Sequence, residues 1–116
     1  TTTDANRQIR HAMEVRHDSF KAAEATKVFR KHDIAVVVAD TAGRWPLIEE
    51  DTSDFRYVRL HGDAELYASG YDEKALDRWA KKIRGWAKAE DVFVYFDNDV
   101  KGYAPFDAME LRRRLE

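Results

Sequence analysis

The apolar positions from Ile34 to Val38, IAVVV, follow one another without a break and lead through Ala39 to Asp40. A strand with no polar face is buried on both sides, as in a parallel sheet covered by helices. Other stretches alternate. In His11 to Arg16, HAMEVR, Met13 and Val15 point one way, and Glu14 and Arg16 the other. Phe55 to His61 sets Val58 and Leu60 against Tyr57, Arg59 and His61, and Val92 to Phe96 makes a further strand.

Helical spacing fills the intervals. A helix is expected over Ser19 to His32, with Asp18 or Ser19 as N-cap and an apolar stripe of Phe20, Ala23, Val28 and Phe29. A second runs from Glu73 to Lys88 behind the cap Asp72, with Leu76, Trp79, Ala80, Ile83 and Ala87 on one face. Pro105 suits the first position of a last helix, whose stripe is Ala108, Leu111 and Leu115. Thr41 to Asp54 carries no stripe and reads as a long irregular loop, of the functional or mobile kind. Residues 1–10 read as a linker or frayed helix end, leaving 11–116 as a single domain.

About four strands and three helices in β-α-β-loop-β-α-β-α order imply an α/β fold with parallel strands. The apolar sides of the alternating strands suit packing under helices. Their other sides carry Glu14, Arg16, Arg59, His61 and Tyr95. In an open sheet covered on both faces that side would be apolar too; near the C-terminal mouth of a barrel it can be polar. The pattern therefore favours β/α barrel material.

Composition narrows the function classes. The chain has 116 residues and a net charge of -2, with no basic footprint of the kind that duplex-binding proteins carry. It has no cysteine, which rules out disulfides and thiolate zinc sites. No apolar run nears the ~20 residues of a membrane helix, and no secretory signal is present, so a cytoplasmic location is the default. There is no GxSxG, GxGxxG or P-loop.

Four segments resemble a known family. EVRHDSF from Glu14, VVVADTAGRWP from Val36, YVRLHG from Tyr57 and VYFDNDVKGYAP from Val94 are similar, in the same order, to the C-terminal half of the YecE-like proteins, domain of unknown function 72. The resemblance implies the last four of the eight strands of a TIM-type barrel. Asp97 is a departure: the family pattern has a second Asn there, before Asn98. Four parallel strands cannot close at the usual tilt and shear. The expected partner is a second copy, as a homodimer of half-barrels, or a missing N-terminal half.

Candidate chemistry gathers where strands end. Glu14, Asp40 and His61 are the candidate acid–base residues, and Arg16, His17, Arg59, Tyr95 and Asp97 complete a polar mouth. The plainer reading is an ion-pair network in which Glu14 and Asp40 neutralise Arg16 and Arg59. By the resemblance, the loops after strands seven and eight are His61-Gly62 and Asn98 to Pro105, where TIM barrels often hold phosphate. Arg59 can grip an oxyanion, Gly102 permits close backbone approach, and the last helix offers free amides. The leading expectation is thus a small-ligand site for phosphate or another anion, with an enzymatic role left open. Arg44 and Trp45 either stack on a sugar or base or pack over the rim. Glu14, Asp40, His61 and Asp97 could ligate magnesium or manganese, but no HxxxH or HxH pair exists and a divalent metal is not favoured. The alternatives are a metal-dependent hydrolase or nuclease, by fold analogy, and a non-catalytic assembly module. Lys81, Lys82, Arg84 and Arg112 to Arg114 read as solvated helix faces, weak grounds for nucleic acid.

Overall fold

The strands pair in parallel, in a two-stranded and a three-stranded group, and the helices pack on one side of them. The computed structural model describes residues 8–62 and 70–116. Most of the expected linker at residues 1–10, and the turn expected after Gly62, lie outside them. The elements are β1 (His11–Met13), a 3-10 turn (Asp18–Lys21), α1 (Ala23–Lys31), β2 (Ile34–Val36), β3 (Val38–Asp40), β4 (Phe55–Leu60), α2 (Glu73–Trp86), β5 (Asp91–Phe96) and α3 (Tyr103–Leu115). The expected mixed α/β fold with parallel strands and three helices is observed.

The central apolar run differs from expectation in one respect: it is two strands. β2 pairs with β1, Met13 opposite Val36, whereas β3 pairs with β4, Val38 opposite Val58. The exchange of partner falls at Val37, whose N–H still donates to the Met13 carbonyl at 2.9 Å. The flank of β2 that faces away from β1 is closed by a side chain. Thr52 Oγ1 accepts the Val36 N–H at 3.0 Å and donates to the Ile34 carbonyl at 2.6 Å. A buried hydroxyl thereby does for two backbone groups what a neighbouring strand would do.

The core lies between the sheet and the helices. Val38, Val58 and Leu60 from the strands meet Leu76, Trp79, Ala80 and Ile83 from α2, and Leu111 from α3. A smaller cluster joins Val15, Phe29, Val36 and Ile48. Burying each large side chain contributes about 1.5–3 kcal/mol, which makes this layer the main source of stability. Met13 departs from expectation: it is 45% exposed, because β1 is an outermost strand.

Helix boundaries differ for local reasons. His17, not Asp18 or Ser19, caps the 3-10 turn, its ring nitrogen accepting the Ser19 N–H. Ala22 is extended, so α1 starts only at Ala23. Asp72 caps α2 as expected, accepting the Ala75 N–H at 2.8 Å. α3 begins at Tyr103, two residues before Pro105, which sits in the first turn where its missing N–H costs no helical bond. The loop from Thr41 to Asp54 is irregular as expected, but it is tied down. Arg56 donates to the Glu49 carbonyl and Arg30 to the Asp51 carbonyl, and Ile48 is in the core. Arg56 also forms a buried ion pair with Glu90 at 2.7 Å and lies over the Trp86 ring.

Candidate functional site

On the sheet side away from the helices, Ala12, Val37, Phe55, Tyr57 and Phe93 line a hollow of about 500 Å³ together with Arg10, Glu14, Arg59 and Tyr95. Strand period and register put them there: Tyr57 lies opposite Phe93, and Arg59 opposite Tyr95. The Tyr57 and Tyr95 rings stack at 5.1 Å. Phe55 and Phe93 meet edge to face lower down, where Arg10 lies over Phe55.

Parallel strands end at the same level, so charged residues at their C-termini converge. Glu14 follows β1, Arg59 is near the end of β4, His61 comes just after it, and Asp97 follows β5. The four form a closed ring. His61 Nε2 lies 2.9 Å from Glu14 Oε1, and His61 Nδ1 lies 2.5 Å from Asp97 Oδ1. Arg59 donates through Nη1 to Glu14 Oε2 at 3.4 Å and through Nη2 to Asp97 Oδ2. The Asp97 N–H donates to the Leu60 carbonyl, which fixes its backbone to β4. The His61 side chain is 0% exposed, whereas Arg59 is 33% exposed and faces the hollow.

Burial has the largest single influence on Glu14 and opposes its ionisation. Hydrogen bonds from His61 and Arg16, with the charges of His61 and Arg59, together outweigh it and hold the carboxyl below its ordinary range. Glu14 is therefore an acceptor and a negative charge at neutral pH. Arg16 reaches the same carboxylate, Nη2 to Oε2 at 3.1 Å.

Arg16 also links this ring to the rim. Its guanidinium lies 4.1 Å from the centre of the Trp45 ring, and Arg44 lies 5.2 Å from it. A tight turn sets Trp45 there. Ala42 and Gly43 both have left-handed backbones, φ 53° and 80°, and the Arg44 N–H donates to the Thr41 carbonyl. This is the pattern of a type I′ turn, unusual in having Ala at its first central position. The Thr41 hydroxyl accepts the Trp45 N–H at 2.9 Å.

The other candidates stand apart from the ring. His17 is exposed and binds Ser19, with Nδ1 2.9 Å from Oγ. Asp40 faces the helices, where Tyr71 Oη donates to its Oδ2 at 3.1 Å and itself accepts the Gly62 N–H. Asn98 is fully buried and donates to Asp107 Oδ2 at 2.8 Å, and the same oxygen accepts the Tyr71 N–H. Gly102 is left-handed, φ 80°, and precedes α3 without a side-chain cap. Tyr71 and Asp107 escaped the sequence reading. A signal for Asp107 was present: it falls in the buried stripe of α3 between Ala104 and Leu111.

Among the described residues, no group of three or more His, Asp or Glu side chains is arranged to hold a metal ion. His61 instead bonds Glu14 through Nε2 and has Nδ1 in close contact with Asp97. The described residues contain no helix long and apolar enough to cross a membrane.

The fold and this ring define a parallel α/β protein with its polar residues gathered at the C-terminal strand ends. A family model described as "Protein of unknown function DUF72" matches residues 2–116, and the chain belongs to that family. A DUF72 family protein from Thermotoga maritima is similar in structure, with 28% identity and a TM-score of 0.84, over 92% of this chain and 46% of that one. A DUF72 family protein from Enterococcus faecalis gives 17% identity and a TM-score of 0.83, over 94% of this chain and 48% of that one. The chain thus spans about half the length of these relatives. No curated protein matches it significantly.

Proposed function

We propose that this chain forms one wall of a small-ligand site at the C-terminal mouth of a TIM-type barrel, and that the ligand is phosphate or another small anion. The observation that carries this reading is the Arg59 guanidinium, partly exposed toward a hollow of about 500 Å³ and held along one edge by Glu14. An arginine already held along one edge has lost much of its rotamer freedom, which lowers the cost of gripping an oxyanion. Arg16, on the rim beside Trp45, adds positive charge to the same end.

Thermal melting with added inorganic phosphate tests the reading. A ligand that binds only the native state raises the melting temperature. Phosphate should protect the wild-type chain and leave Arg59→Ala unshifted. Equal protection of both would remove Arg59 from the site and sink the proposal.

A second reading, acid–base catalysis, is favoured by one feature: Glu14 is ionised, borders the hollow and has His61 behind it. That is the arrangement that orients a carboxylate base.

The wall also needs an opposite wall. β1 and β5 each have a strand neighbour on one side only among the described residues, and Phe93 and Tyr95 are 40% and 51% exposed in the hollow. We infer that a second half-barrel, either another copy or further chain, covers them. A monodisperse monomer of this chain in sedimentation would exclude the pairing of copies.

A further inference from the structure

We propose that Asp97 is a built-in occupant of the anion site: its carboxylate fills the cradle formed by Arg59 and His61, and an external anion binds there only by displacing it. The inference rests on the mouth-site reading above and names the residue that sets its specificity.

The geometry is that of a ligand rather than of a wall. The two oxygens of Asp97 face different groups: Oδ2 accepts a hydrogen bond from Arg59 Nη2, and Oδ1 lies 2.5 Å from His61 Nδ1 in a close contact without hydrogen-bond geometry. A free carboxylate or one edge of a phosphate would present the same two oxygens to the same two groups. The backbone of Asp97 is fixed by its N–H bond to Leu60 and lies just past the end of β5. Its side chain is short and 27% exposed, so it can turn away while the backbone stays in place. Glu14 meets the other edges of Arg59 and His61 but comes from a separate strand, and it is the more deeply buried of the two acids at 12% exposure. Asp97 is therefore the acid that can leave.

The consequence is electrostatic. An anion entering beside an undisplaced Asp97 meets a like charge at contact distance, which costs well over tenfold in affinity. A neutral residue at position 97 would leave the cradle unfilled and positive.

The test compares wild type, Asp97→Ala and Asp97→Asn for binding of formate and inorganic phosphate, by calorimetry and thermal melting. Asn keeps the shape of the side chain and covers the case in which Ala does not fold. The variants should bind both anions about tenfold or more tighter than wild type, and adding Arg59→Ala to either should abolish the gain. Binding by the variants alone would support the role of Asp97 and overturn the expectation that phosphate protects the wild-type chain. Equal binding by wild type and variants, lost with Arg59→Ala, would overturn the role of Asp97 and leave the mouth site standing. No binding by any of them would overturn both.

Discussion

Asp40 and Arg59 lie on adjacent hydrogen-bonded strands but on opposite faces of the sheet. Register decides it: Ala39 is opposite Arg59, and Asp40 is opposite Leu60. Asp40 therefore points with Val38, Val58 and Leu60 toward the helices, where it meets Tyr71. Two polar networks result, one on each side of the same strands. The ion ring faces the hollow, while Asp40, Tyr71, Asn98 and Asp107 tie β3 to the start of α3.

This separation gives a prediction for Tyr71→Phe. The change removes the donor to Asp40 and the acceptor of the Gly62 N–H inside a buried site. Stability should fall by about 1–3 kcal/mol, the usual cost of leaving buried polar groups without their bond. Chemical denaturation measures that loss. Any phosphate response proposed for the mouth should be unchanged, because the affected groups lie across the sheet from Arg59.

Thr52→Val probes the gap in the ladder. Valine keeps the shape and removes the hydroxyl that serves Val36 and Ile34. The loss should be about 1–3 kcal/mol, with faster hydrogen exchange at the Val36 amide. Thr52→Ser keeps the oxygen and should recover most of both.

Glu14→Gln probes pH dependence. The folded carboxyl titrates below its ordinary range, so ionisation is favoured by folding. Its contribution is complete above the unfolded value of ~4.3 and is lost as pH falls through the lower folded value. The wild-type melting temperature should therefore drop on acidification through this window. The variant should start lower at pH 7 and fall less across the same interval. Parallel curves for the two proteins would refute the assignment.

Most of the fold was legible because it rests on periods that residues carry individually. The alternation of Phe55 to His61 put Arg59 and His61 on one side, and the spacing of Leu76, Trp79, Ala80 and Ile83 marked the buried face of α2. Asp72 marked its start. Convergence of Glu14, Arg59, His61 and Asp97 followed from parallel strands ending together. What stayed hidden depends on pairing between distant residues. The exchange of partner at Val37 needs Thr52, sixteen positions from Val36, to satisfy the flank of β2. The facing of Asp40 could be counted from Val38, yet the unbroken apolar run removed the polar contrast that makes such counting visible. His17 as a cap depends on one local bond to Ser19 that competes with the helix expected there.

The exchange at Val37 also divides the molecule into two leaves, β1 with β2 on one side and β3, β4 and β5 on the other. Glu14 extends from the first leaf; Arg59, His61 and Asp97 belong to the second. The bonds from Glu14 to His61 and Arg59 thus act as a clasp across the seam. Whatever draws Glu14 away at the rim would loosen the joint between the leaves, so this one carboxylate sets how firmly the two halves of the strand layer hold together.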